Sequence, residues 1–242
     1  MDLWRDVARM DGISAASGGI GPLSPPPCRA FNRLLTKIFA GPIVSSFYLY
    51  GGLDTMAKFD LQPAESELQQ LAERYWQEAG TRERELERAA FEAGELIRGG
   101  DFTLPNLETI VRWKSERMVH YLIGNSNQNI KSALTVATAA DTSPQDAINA
   151  LIGLRGVDLS IASAIMATIF PERYAVLDYR ALEALGHAKH DVQFYAEYNA
   201  FCNRLAEEGK MKPQDDLPGA TPLHALERAL WQWSRTRADQ RS

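Results

Sequence analysis

From residue 63 onward, apolar side chains return every three or four positions, and nowhere does apolar–polar alternation persist long enough for a strand. The pattern predicts an all-α chain of roughly eight helices. Two of them cover residues 63–79, with Leu68, Leu71 and Tyr75 on one stripe, and residues 82–98, with Leu86, Ala89, Ala90 and Leu96; Gly99 and Gly100 stop the second. Pro105 opens a helix over 106–123, residues 125–129 form a polar turn or cap, and a further helix runs over 130–140. An aromatic-rich helix spans 192–207, residues 210–219 make a loop, and Thr221 and Pro222 start a last helix over 223–234, beyond which 235–242 is expected to fray. Residues 1 to about 60 read as an N-terminal extension. Residues 12–27 are rich in Gly, Ser and Pro and suggest flexibility, 29–39 fit an amphipathic helix, and 43–50 are strand- or core-like. The expected organisation is this extension, a domain over 61–236 and a tail over 237–242.

The middle of the chain carries the most specific pattern. Ser143, Pro144 and Asp146 form a helix start, with a capping hydroxyl, a proline where no N–H is needed and an acid in the first turn. That helix runs to about Gly153. Leu154, Arg155, Gly156 and Val157 make a tight turn in which glycine can take a backbone shape that other residues avoid. Asp158 caps the next helix, whose Ile161, Ala162, Ile165 and Ile169 share a face. Amides at such a turn and helix start can hold a phosphate without reading a base, although an ordinary helical hairpin has the same spacing. Residues 170–174 then form a loop, 175–177 a short extended apolar stretch, and Asp178 caps a helix over 179–185 that Gly186 ends.

Bulk properties narrow the classes. The 242 residues are 45% apolar and 24% charged, enough for a substantial core. Cys28 and Cys202 are too few for a disulfide framework or a four-cysteine cluster, which fits a reducing cytoplasm. The longest apolar run, 38–50, is broken by Gly41 and Pro42 and is too short to span a bilayer, and no secretory signal is apparent. His187 and His190 lack acids or thiols at ligand spacing, so no metal and no cofactor is expected. A net charge of −5 argues against a nucleic-acid binder, but it is unevenly spread. Residues 65–95 hold nine acids against four arginines, read as a solvated helix face. Residues 112–131 carry Arg112, Lys114, Arg117 and Lys131 against the single acid Glu116.

Leu154, Gly156, Val157 and Ala162, followed by Pro171 and then Val176, Leu177 and Asp178, resemble the helix-hairpin-helix DNA glycosylases with a Gly/Pro-rich loop and an aspartate. Within that superfamily the chain is most similar to the 8-oxoguanine-glycosylase-like branch, best over 106–185 and more loosely to Trp233. The resemblance implies a two-lobed helical bundle with a cleft, double-stranded DNA as partner with one nucleotide turned out of the stack, and a monomer without metal or membrane attachment. It implies that Arg155, Gly156, Val157, Asp158 and Ser160 lie against the DNA backbone and that Asp178 is the essential carboxylate. Two departures stand out: Asp158 occupies a position usually held by glycine, and Ser160 occupies the position of the lysine nucleophile of bifunctional members. The expected reaction is therefore water-using release of an oxidised purine or a bulky modified base, in genome repair or in attack on foreign DNA. Lys114, expected to share a helix face with Arg117 beside the cleft, could supply an amine, and Lys131 is a weaker candidate for the same role. Trp231 either closes the core or stacks on a base. The alternatives are a non-catalytic DNA-binding module, favoured by Asp158 and Ser160, and a helical protein-interaction domain, favoured by the acidic helices.

Overall fold

The computed structural model describes residues 59–188, 191–214 and 216–241. Most of the N-terminal extension, including Cys28, lies outside the described residues. So does His190. Among the described residues all regular elements are helical, with no strand, as the periodicity predicts.

Among the described residues ten α-helices follow one another: α1 Leu68–Glu78, α2 Thr81–Arg98, α3 Leu104–Ser115, α4 Val119–Leu122, α5 Asn127–Ala137, α6 Pro144–Ile152, α7 Leu159–Ile169, α8 Tyr179–Ala184, α9 Val192–Glu208 and α10 Pro222–Arg241. Helix α7 is the centre. Every residue from Ile161 to Ile169 is buried, so the helix is enclosed on all sides rather than along the one stripe of Ile161, Ala162, Ile165 and Ile169. It packs against α2, α3 and α6, while α10 lies along α1, α8 and α9. The approach of α2 to α7 is close enough that a Cβ at Gly94 would sit 2.2 Å from the Thr168 carbonyl oxygen.

Three predicted elements differ. The single helix over 106–123 is broken: α3 ends at Ser115, whose backbone has φ −161°, a 3-10 turn covers Glu116–Met118, and α4 follows. The break takes Lys114 and Arg117 off a common face. Lys114 turns into the interior while Arg117 stays exposed. The helix expected over 130–140 starts and ends earlier, because the Ser126 hydroxyl caps it by accepting from Asn129 N at 3.1 Å. The C-terminal helix does not stop at Ser234 but continues to Arg241. Aromatic rings carry it onward: the Arg235 guanidinium lies 5.5 Å from the Trp231 ring and that of Arg237 4.6 Å from Trp233.

The turn between α6 and α7 has the predicted caps. Ser143 Oγ accepts from Asp146 N at 3.1 Å, and Asp158 Oδ1 accepts from Ile161 N at 2.8 Å. Gly156 adopts φ +80°, and a Cβ there would lie 2.8 Å from Leu122 N and 3.0 Å from the Met118 carbonyl oxygen. Conformation and packing therefore both require glycine. Asn125 clamps the turn from the other side, accepting from Arg155 N through Oδ1 at 2.9 Å and donating to Arg155 O through Nδ2 at 2.9 Å. Gly156→Ala should cost about 2 kcal/mol or more. Chemical unfolding would show this as a lower midpoint, and an unchanged midpoint would mean that the turn relaxes freely.

Candidate functional site

Residues 174–178, outside any helix, cross the interior, and all five are buried. A buried segment outside helix and sheet leaves its peptide groups without regular partners, and each would cost free energy if left unpaired. Side chains take the place of the missing ladder. Ala175 N donates to Asn199 Oδ1 at 2.7 Å, and the Ala175 carbonyl accepts from the Tyr195 hydroxyl at 3.0 Å. Val176 N donates to Glu227 Oε1, and its carbonyl accepts from Tyr198 at 2.7 Å. Leu177 N donates to Ser163 Oγ at 2.9 Å, and Ser163 in turn donates to the Ser160 carbonyl. Helices α7, α9 and α10 thus fix the backbone that delivers Asp178.

Asp178 caps α8, as its sequence position predicts: Oδ1 accepts from Ala181 N at 2.9 Å. Its other oxygen, Oδ2, accepts from Lys114 Nζ at 2.9 Å, with the two side chains only 7% and 4% exposed. This is the pairing that the sequence left open. Two predicted site residues, 64 positions apart, meet as a buried ion pair. Lys131, by contrast, is exposed on α5 and does not line the cavity beside Asp178.

That cavity has a volume of about 30 Å³, room for a water molecule. Tyr75, Trp113 and Trp231 form aromatic walls, and Asp178, His224, Glu227 and Arg228 supply the polar lining beside Val176 and Ala181. Trp231 is 4% exposed; the Arg180 guanidinium lies 5.0 Å from its ring, and Tyr75 packs edge-on at 5.2 Å. Behind the lining runs a chain of buried charges. Glu87 Oε1 accepts from Arg228 Nη2 at 2.7 Å and faces His224 Nε2 at 3.1 Å, while Glu87 Oε2 accepts from the Tyr75 hydroxyl at 3.1 Å. His224 Nδ1 lies 2.5 Å from Glu227 Oε2.

Burial alone would push the Glu87 carboxyl up, but the Arg228 charge and the hydrogen bond and charge of His224 outweigh it and hold Glu87 at about 2. Burial, reinforced by the Glu87 carboxylate, raises the Tyr75 hydroxyl well above its ordinary range, so it stays a donor. The acidic stripe of α2 is therefore not wholly a solvated face: Glu87 is 2% exposed. Its sequence neighbours give no sign of this. The partners on α10 do leave one, because His224, Glu227, Arg228 and Trp231 recur at intervals of three, one and three, a polar face at helical spacing.

At the hairpin turn, Arg155 is exposed, Gly156 and Ser160 are half-buried, and the Asp158 carboxylate is turned onto the α7 amide of Ile161. Val157 is 6% exposed and its amide donates to the Leu154 carbonyl, so it packs the turn and offers no donor. Arg155 N is likewise taken, by Asn125. The amides of Gly156, Leu159 and Ser160 have no protein acceptor among the described residues. Their donors can meet an anion.

Among the described residues no group of three or more His, Cys, Asp or Glu side chains could hold a metal ion, and no helix is long and apolar enough to cross a membrane. His187 packs its ring against Phe59 and Phe194. The chain matches no protein-family model, no curated protein and no solved structure.

Glu87 gives a pH signature. Its value in the folded protein lies below the ordinary 4.5, so its stabilising share is present above that pH and is lost as pH falls toward about 2. The share is about 3 kcal/mol on the scale of one pKa unit per 1.4 kcal/mol. Unfolding free energies measured between pH 5 and 2 should therefore fall more steeply for wild type than for Glu87→Gln, and parallel curves would contradict this assignment.

Proposed function

We propose that this chain is a DNA glycosylase of the helix-hairpin-helix kind, which turns a damaged or modified nucleotide out of the duplex and hydrolyses its N-glycosidic bond. The observation that carries the reading is Asp178. It is a buried carboxylate that caps α8, lines an aromatic-walled cavity and follows a segment held by side chains of α7, α9 and α10. In this reading the unpaired amides of Gly156, Leu159 and Ser160 grip a backbone phosphate, with the exposed Arg155 and Arg117 adding charge. The two lobes of the glycosylase arrangement would border the cavity. Opening them would admit the base between Trp113, Trp231 and Tyr75.

Asp178 then faces the deoxyribose as its bond to the base breaks and positive charge grows at C1′. A carboxylate fixed in place by a capping amide and buried from bulk solvent stabilises that charge at short range. An oxidised purine follows from the resemblance to the 8-oxoguanine-glycosylase-like branch, and a bulky modified base in foreign DNA suits the same chemistry.

The decisive measurement counts aldehyde-reactive abasic sites on duplexes carrying 8-oxoguanine or N7-methylguanine and on bacteriophage DNA with bulky modified bases. Wild type should produce them, and Asp178→Asn should lower the rate by about 100-fold or more while binding DNA normally. Equal rates would remove Asp178 from the chemistry. Absence of sites on every DNA, with salt-sensitive binding retained, would favour a binding module; absence of both would favour a protein-interaction domain.

A second reading rests on the 2.9 Å contact of Lys114 with Asp178, from which an amine would lie beside the reacting carbon if Asp178 faces the sugar. Attack by that amine would form an imine and lead to strand cleavage. The Lys114 amine is, however, already engaged with Asp178 Oδ2, so water remains the favoured nucleophile. Borohydride added during turnover should trap no protein–DNA adduct, and strands should break only after alkali. An adduct that disappears in Lys114→Met would establish the amine route instead.

A further inference from the structure

We propose that Glu227 is the general base that activates the attacking water, a role separate from that of Asp178. The inference rests on the base-excision reading of the site and concerns a residue on α10, distant in sequence from the hairpin and the aspartate. Two carboxylates from different elements border one cavity of about 30 Å³, the size of a single water. Asp178 accepts from Lys114 Nζ through Oδ2 and from the Ala181 amide through Oδ1, so both of its oxygens are committed to protein donors. Glu227 is held differently. Its Oε1 accepts from Val176 N and its Oε2 meets His224 Nδ1, whose other nitrogen rests on Glu87.

These contacts lock the carboxylate in place from behind with one directed bond to each oxygen. An ionised carboxyl oxygen has a second acceptor position, and those of Glu227 are available to a water in the cavity that it lines. His224 fixes the orientation of the carboxylate and is itself fixed by Glu87, so His224 and Glu87 are positioning residues. The tie from Glu227 to Val176, two residues before Asp178, also sets the spacing of the two carboxylates on either side of the sugar.

The step balances as a hydrolysis. The C1′–N bond breaks and its electron pair leaves with the base, which takes up a proton from solvent. Charge at C1′ rests against Asp178. The water oxygen forms the C1′–O bond while its proton passes to Glu227, which returns it to solvent when the product leaves. Two carboxylates with separate duties are the arrangement expected where water, rather than an enzyme nucleophile, attacks an electron-poor sugar carbon.

The test is single-turnover release from whichever of the 8-oxoguanine, N7-methylguanine and bacteriophage DNAs wild type acts on, using the full chain as wild type, Glu227→Gln, Glu227→Ala and Asp178→Asn, with and without sodium azide. Glutamine keeps an acceptor for Val176 N but is too weak a base for the water. We expect both Glu227 variants to bind the DNA within about threefold of wild type and to release base about 100-fold more slowly. Azide needs no deprotonation, so it should restore release in both and leave a deoxyribosyl azide, detected by mass, where the aldehyde would be. It should not rescue Asp178→Asn, which lacks the charge that lets the bond break.

Release by Glu227→Gln within threefold of wild type overturns the proposal. So does slow release by a folded, DNA-binding Glu227→Gln that azide leaves unchanged, since that pattern marks a positioning role. If Glu227→Ala unfolds, the glutamine variant alone decides. Wild type that releases no base from any of the DNAs overturns the glycosylase reading and this inference with it, whereas wild-type release with any of the failures above overturns this inference alone.

Discussion

A peptide segment buried outside any helix or sheet must find partners for its N–H and carbonyl groups largely among side chains. Residues 175–177 are in that position, and much of the molecule is arranged to meet their demand. Asn199, Tyr195 and Tyr198 come from α9, Glu227 from α10 and Ser163 from α7. No one of these bonds is strong in net terms. Removing any would leave a buried peptide group unpaired, so the helices are held to one another through the segment they surround. The aspartate at its end inherits that rigidity, and a carboxylate used for electrostatic stabilisation needs to be in place before charge develops.

Buried charge is the second constraint. Lys114 with Asp178, and Arg228 and His224 with Glu87 and Glu227, place three acids and three basic side chains in a small volume. Each carboxylate has its cation or imidazole, which is what makes burial tolerable. Well-packed apolar side chains would stabilise the same space as well or better. We place the proposed chemistry beside this network because such groups tend to collect at functional sites. The aromatic walls raise the strength of every interaction inside by excluding water.

The two ends of the proposed site use opposite surface logic. At the turn between α6 and α7, Asn125 takes the amide of Arg155 and the Leu154 carbonyl takes that of Val157, while those of Gly156, Leu159 and Ser160 have no protein acceptor among the described residues. Asp158, which as a bare acid would repel a phosphate, turns its carboxylate onto an α7 amide. Along α2 the acids remain largely outside, and only Glu87 is drawn in.

By itself the sequence determined the all-helical class, the caps at Ser143, Asp158 and Asp178, and the glycine at the turn. These depend on residues a few positions apart, whose periodicity and capping chemistry are local. It also singled out Lys114 and Asp178 separately, from a cationic helix and from a cap. Tertiary structure decided that they touch, because the chain breaks at Ser115 and turns Lys114 inward instead of leaving it beside Arg117. It decided, too, that Glu87 leaves the solvated face and that Glu227 holds Val176. None of these could be read locally. A buried charge or an unpaired peptide is matched by a partner 51, 64 or 137 residues away, and the free energy that selects the pair exists only once burial has removed water from both.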